Sequence, residues 1–260
     1  TAATPTPGGG VIGREAGSQE PDGLLFETAF LPIFAKVPGP NDDELLQLIT
    51  TGQELYLREG ITTAQEGATM KHQLDLLRIM ATRGLLKLDV ISLPFITELD
   101  TVFAGGPPRA EKTYTNRLRI GGVKIVMDGS PQGRTAAFTT PYLTDGPAGQ
   151  KDWKGELSFP QPLLNEMVKK VYDGGAPLFV HCNGDAAIDA LLEAHRFAAG
   201  DDPTRPRGTV GVHSQFIRPD QLQKYAAWKI TPSFFTLHCF YFGDTHVANR
   251  GWPRLTSSAP

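Results

Sequence analysis

The chain has 260 residues, 40% of them hydrophobic, enough for the core of one α/β-barrel domain or of two small domains. Charged residues make up 20%, and 25 basic side chains against 28 acidic ones leave a formal net charge of -3, which removes the electrostatic basis for nucleic-acid or polybasic membrane binding. With 28 glycines, 21 prolines and no fibrous period, the chain is not a helical bundle, and many turns must join short elements.

The first thirty residues are rich in turn formers (Gly8, Gly9, Gly10, then Pro21, Asp22, Gly23) and read as coil laid over a body. Residues 1–40 are therefore expected to be a turn-rich segment packed on a barrel formed by residues 41–260. Residues 42–60 carry leucines at roughly helical spacing and stop at a glycine; residues 61–67 favour a strand; residues 70–84 are again amphipathic and end at Gly84. The alternation continues with strands over 85–95 and 118–129, a turn-rich excursion from Ser130 to Leu157, a helix over 162–175 and a strand over 176–185. A helix over 185–200, a strand over 208–216, a helix over 220–229 and a long apolar strand over 230–242 complete it. Apolar strands alternating with one-sided helices predict βαβ units around a parallel sheet, six strands being countable before residue 242. No Gly-x-Gly-x-x-Gly turn follows a strand, which lowers the dinucleotide-binding version of such a fold.

The polar residues worth naming fall at the carboxyl ends of successive strands: Gln65 and Glu66, Lys124 and Asp128, His181 and Asp185, His213 and Gln215, and His238. In a barrel, that edge is where sites are built. His181 and His213 end strands one βαβ unit apart, so their rings can face one ion; imidazole with an oxygen donor suits zinc, nickel, manganese or iron. Lys124, inside GGVKIVMDG, is costly on a buried strand unless it is ion-paired with Asp128 or another acid, or carries a carbamate that acts as an oxygen ligand. Asp128 begins a DGSPQGR turn that holds substrate, orients a metal-bound water, or is a plain strand exit. Asp185 is a candidate helix cap or a hydrogen-bond partner of His181. His238 is a candidate contact for substrate or for developing negative charge; His246 is a weaker candidate, and His72 and His195 suit packing or surface roles. Cys182 and Cys239 sit in apolar stretches without a CxxC pair and read as buried thiols. No run reaches the length of a membrane span and no targeting signal is visible, so cytoplasmic residence is the default expectation.

The segments TPTPGGGVIGREAGSQEPDGLLFE, EGITTAQEG, VKIVMDGSPQGRTAAFTTPY, LFVHCNGDAAID, VHSQFIRPDQL and PSFFTLHCFYFGDTH, in this order across residues 4–246, resemble the YtcJ-like branch of the amidohydrolase superfamily, the amidohydrolase 3 family. The resemblance implies a (β/α)8 TIM-type barrel, a small-molecule substrate and hydrolysis of amide-like carbon–nitrogen bonds by a metal-activated water. It implies a divalent metal, zinc first, held by Lys124 (as N6-carboxylysine), His181 and His213, with His238 and Asp128 as catalytic residues. No His-x-His pair occurs among the six histidines, and Ser258 stands where the family's strand-eight aspartate is expected. From His246 to Leu255 too few residues remain for a parallel crossover. These departures predict a barrel that is incomplete in this chain, with the first strand absent and the last crossover compressed. They also raise a second reading, a catalytically degenerate barrel that binds a small ligand or a protein partner. A homodimer is the default assembly.

Overall fold

A computed structural model describes residues 1–251. The amino-terminal segment is more ordered than its turn-rich composition suggests: β1 (Gly10–Arg14) and β2 (Pro21–Glu27) form an antiparallel hairpin, followed by a single helical turn, α1 (Leu31–Phe34). The coil expected there is corrected to a hairpin whose ladder satisfies the backbone groups that a coil would leave to water.

From residue 41 the βα alternation holds. Helix α2 (Asp42–Arg58) starts at an Asn41 capping box with Glu44. It leads into β3 (Thr63–Thr69), α3 (Lys71–Thr82) and β4 (Asp89–Pro94), then a short 3-10 turn and α4 (Leu99–Val102). The strand expected over residues 118–129 is split into β5 (Leu118–Ile120) and β6 (Val123–Val126) by Gly121 and Gly122. There follow α5 (Gln161–Gly174), β7 (Leu178–Cys182), α6 (Asp185–Ala199), β8 (Thr209–His213), α7 (Pro219–Trp228), β9 (Thr231–Phe234) and α8 (His238–Arg250). The parallel sheets have the orders β3-β4-β5 and β6-β7-β8-β9, and a parallel Phe95–Lys124 bridge joins them.

A side chain added at Gly121 would meet Ile91, and one at Gly122 would meet the Pro177 carbonyl oxygen at 2.6 Å, so the glycine pair lets the chain pass from β5 in one sheet to β6 in the other at close quarters. One face of the four-stranded sheet is covered by helices. Val123, Ile125, Leu178, Val180 and Cys182 pack there with Leu164, Val168, Ile188 and Leu191, and burying each large aliphatic side chain contributes roughly 1.5–3 kcal/mol. A second cluster, including Leu74, Met80, Leu88, Val90 and Ile120, lies under α3.

The long strand expected over 230–242 is corrected. Only Thr231–Phe234 is strand, and residues 238–250 are helix α8, whose buried side chains are His238, His246, Asn249 and Arg250. Cys239 on that helix is exposed while Cys182 is buried, so the expectation of two buried thiols holds for Cys182 alone. Ser258 and Leu255, on which the strand-eight comparison and the crossover length rest, lie outside the described residues.

His195, 1% exposed on α6, is a packing residue. Its Nε2 faces the Pro203 carbonyl at 2.9 Å and must carry the proton. Nδ1 therefore accepts from the Tyr172 hydroxyl at 2.7 Å, which in turn accepts from Thr209, while the imidazole stacks on Trp228. His195→Phe keeps the stacking and loses both hydrogen bonds. A loss of about 2 kcal/mol in urea-unfolding stability is expected; an unchanged midpoint would refute the chain of bonds.

Candidate functional site

Strand register sets which side chains meet. Lys124 pairs with Phe179 and Val126 with His181 across β6–β7, so Lys124 and His181 share the face opposite the helix-packed Ile125, Val180 and Cys182. On β8, His213 is the register partner of Cys182, and simple alternation would send its ring toward the helices. Instead His213 and Ser214 have φ of 69° and 45°, a left-handed turn that non-glycine residues seldom adopt. The result is a His213 ring 4.7 Å from that of His181, centroid to centroid, on the face that carries Lys124. His238 at the start of α8 extends the row, 6.2 Å from His213, and its Nδ1 lies 3.1 Å from His246 Nε2.

The electrostatics of this edge follow from burial. Loss of solvation lowers His181 and His213 to about 4, each also pushed down by the Lys124 charge, so both are neutral imidazoles at neutral pH. Burial lowers Lys124 to about 8. Lys124 is 8% exposed, and its ammonium has no hydrogen bond or ion pair among the described residues. The pairing with Asp128 is not formed. His181 Nε2 lies 3.1 Å from the Gly129 carbonyl and 3.0 Å from Asn183 Nδ2; since one only accepts and the other only donates, the ring tautomer selects between them.

Asp128 is 1% exposed and its carboxylate is filled by backbone. Oδ1 accepts from Asn183 N at 2.9 Å, and Oδ2 accepts from Gly184 N at 2.8 Å and Ala137 N at 3.1 Å. Burial nevertheless raises it to about 7 against the pull of these three donors. A side chain at Gly184 would collide with the Ala137 carbonyl oxygen, so glycine is what lets the two loops approach this closely. Asp185 neither caps α6, whose cap residue is Gly184, nor touches His181: it accepts from Thr139 and pairs with Arg218. Arg218 also binds Asp189 and Asp220 and fixes the start of α7 against α6; its place before Pro219 and Asp220 in IRPDQL was the available sequence signal. Gln65, Glu66 and His72 stand apart from the histidine row, along a groove of about 420 Å³ between α2, β3 and α3.

The donor set does not fit a divalent ion. Among the described residues no group of three or more His, Cys, Asp and Glu side chains is placed to hold a metal. The physical reasons are local: His181 and His213 come together without a third donor of this kind, since the carboxylate of Asp128 is spent on backbone N–H groups and Lys124 brings an ammonium. This overturns the expected zinc or other divalent metal on Lys124, His181 and His213, the carboxylysine at Lys124, and hydrolysis by a metal-activated water.

An α/β fold of parallel sheets whose strands carry polar residues at their carboxyl ends is consistent with the TIM-barrel-like fold of metal-dependent amidohydrolases. The profile described as "Amidohydrolase family" matches residues 1–260, and the chain belongs to that family. It is 25% identical to putative amidohydrolase YtcJ of Bacillus subtilis (strain 168) over 87% of this chain and 41% of that protein. It is also 25% identical to Protein LONG AFTER FAR-RED 3 of Arabidopsis thaliana, over 98% of this chain and 44% of that one. Among solved structures it resembles an uncharacterized metal-dependent hydrolase from Pyrococcus furiosus, with a TM-score of 0.74 and 25% identity, over 90% of this chain and 47% of that one. One from Pyrococcus horikoshii OT3 has a TM-score of 0.75 and 22% identity, over 95% and 48%. The chain thus spans less than half the length of these relatives. Among the described residues no helix is long and apolar enough to cross a membrane.

Proposed function

We propose that this chain is a barrel-type module that binds a small ligand at the carboxyl ends of its parallel strands, without metal-dependent turnover. The observation that carries this reading is the left-handed backbone at His213, which brings its imidazole against His181 on the face of Lys124. Such a conformation costs of the order of 1–3 kcal/mol and persists where the surrounding structure holds it, commonly at ligand sites.

The test has two arms. After incubation with zinc and removal of the excess, elemental analysis is expected to find well below one zinc per chain. A full equivalent, lost when His181 and His213 are both replaced by alanine, overturns the reading. In a thermal-shift screen of small metabolite-like compounds, the reading expects ligands that raise the Tm of the native chain and not that of His213→Ala. A screen in which every stabilising compound acts equally on both chains overturns it.

A further inference from the structure

The segment that runs from β9 into α8 leaves apolar side chains in the open. Phe240 is 81% exposed and Tyr241 63%, and Phe234, Phe235 and Leu237 are exposed beside them. The aromatic rings form one surface rather than scattered spots. Their centroids step from Phe235 to His238 at 5.0 Å, to Phe242 at 5.5 Å, to Tyr241 at 6.3 Å and to Phe240 at a further 5.0 Å. An aromatic side chain carries about 150–250 Å² of surface, so the exposed parts amount to on the order of 500 Å² of apolar patch, at the upper end of what a lone chain shows to water.

We infer that this surface is the contact between two copies of the chain related by a two-fold axis. Charge selects the occupant. In a two-fold contact the patch faces itself, so a charge near the axis meets its own image, and residues 230–243 contain no Asp, Glu, Lys or Arg. The apolar side chains exposed around α1, from Phe30 to Val37, enclose Lys36 and lack that property. Two such patches withdraw on the order of 1,000 Å² from water, the size at which a specific contact becomes stable. An anionic membrane surface calls for basic side chains around the aromatics, whereas the charges that border this stretch, Lys229 and Asp244, cancel. The Phe235 ring lies 6.4 Å from that of His213, so a second copy seated here shelters the histidine row from one side, although the contact itself does not depend on ligand binding.

Sedimentation velocity is run on the native chain under reducing conditions, which keep the exposed Cys239 from linking copies covalently. The 28.2 kDa species is expected to give way to one of twice that mass as concentration rises through the micromolar range. Phe240→Asp places a carboxylate on both sides of the axis. Because Phe240 packs little within its own chain, the far-UV circular dichroism is expected to be unchanged, while the dimer dissociation constant rises at least about a hundredfold. Leu31→Asp on α1 is the control and is expected to leave the dimer intact. Should Phe240→Asp fail to fold, Tyr241→Asp takes its place, and the concentration dependence of the native chain decides without either variant. A native chain still monomeric at about 100 μM, a dimer that survives Phe240→Asp within about twofold, or one that Leu31→Asp weakens as much each overturn the inference. So does a monomeric chain that binds neutral phosphatidylcholine vesicles and loses that binding in Phe240→Asp, which gives the surface to lipid instead.

Discussion

Asp128→Ala is expected to destabilise the chain by on the order of 4 kcal/mol, a larger effect than any change at the histidine row. The substitution strips the acceptor from Ala137 N, Asn183 N and Gly184 N at once, in a place that water does not reach. Each orphaned buried N–H costs about 1–3 kcal/mol, and partial relaxation of the loops recovers some of it. Asp128→Asn should cost roughly half as much. Its amide presents one acceptor and one donor, so it can still serve one side of the cluster but sets N–H against N–H on the other. Urea unfolding of the three chains, read by midpoint at constant slope, checks the order native, Asn, Ala. A loss below about 1 kcal/mol for alanine would show that the junction of β6, the 130–140 loop and the β7–α6 turn does not depend on this carboxylate.

Acid should weaken the fold well above the pH at which ordinary carboxylates titrate. Burial lowers His181, His213 and His246 to about 4 and also lowers His195 and His238 below their ordinary value of 6.5. The unfolded chain therefore takes up protons below about 6.5 that the folded chain refuses, so this stability is complete above that pH and is lost as pH falls toward 4. Asp128 acts in the opposite sense. Raised to about 7 by burial, it holds a proton that the unfolded chain releases near 3.8, so its contribution is present at low pH and lost as pH rises through 7. Five imidazoles outweigh one carboxyl. The chain is expected to be ~3 kcal/mol less stable at pH 5 than at pH 7.5, after allowance for solvent around the half-buried rings. Thermal melts at the two pH values decide it, and an equal or higher Tm at pH 5 would refute the balance.

The parallel strands were legible because their signal is local: apolar runs such as LFVHC and VKIV alternate with helices whose apolar side is plain. Helix α8 was not. Its segment is rich in β-favouring aromatics and its buried positions, His238, His246, Asn249 and Arg250, are polar, so apolar periodicity carried no trace of it. Polar docking holds it instead, with Asn249 bonded to Thr144 and Pro131, and Arg250 placed over the Phe138 ring and bonded to Thr140 and Pro141. At the site, the sequence placed Lys124, His181, His213 and His238 at one edge, and the structure brings the three histidines into a row on the Lys124 face. What it did not reveal was who satisfies whom. The saturation of Asp128 comes from Ala137 N across a loop and from Asn183 N and Gly184 N across the sheet. The face of His213 depends on a backbone turn that strand alternation contradicts.

The glycine pair at 121 and 122 has a consequence for how the chain comes apart. The cluster under α3 and the cluster under α5 and α6 are separate cores linked by the Gly121–Gly122 step between β5 and β6, by the Phe95–Lys124 bridge and by Phe103, which packs against both. A chain laid out this way has two cooperative units meeting at a joint of minimal side-chain volume. The amides of β3, β4 and β5 can open to solvent exchange while β6 to β8, with their fully buried Val123, Ile125, Leu178 and Val180, stay closed. Lys124 sits beside that joint, so whatever occupies the strand ends also bears on how firmly the two units are held together.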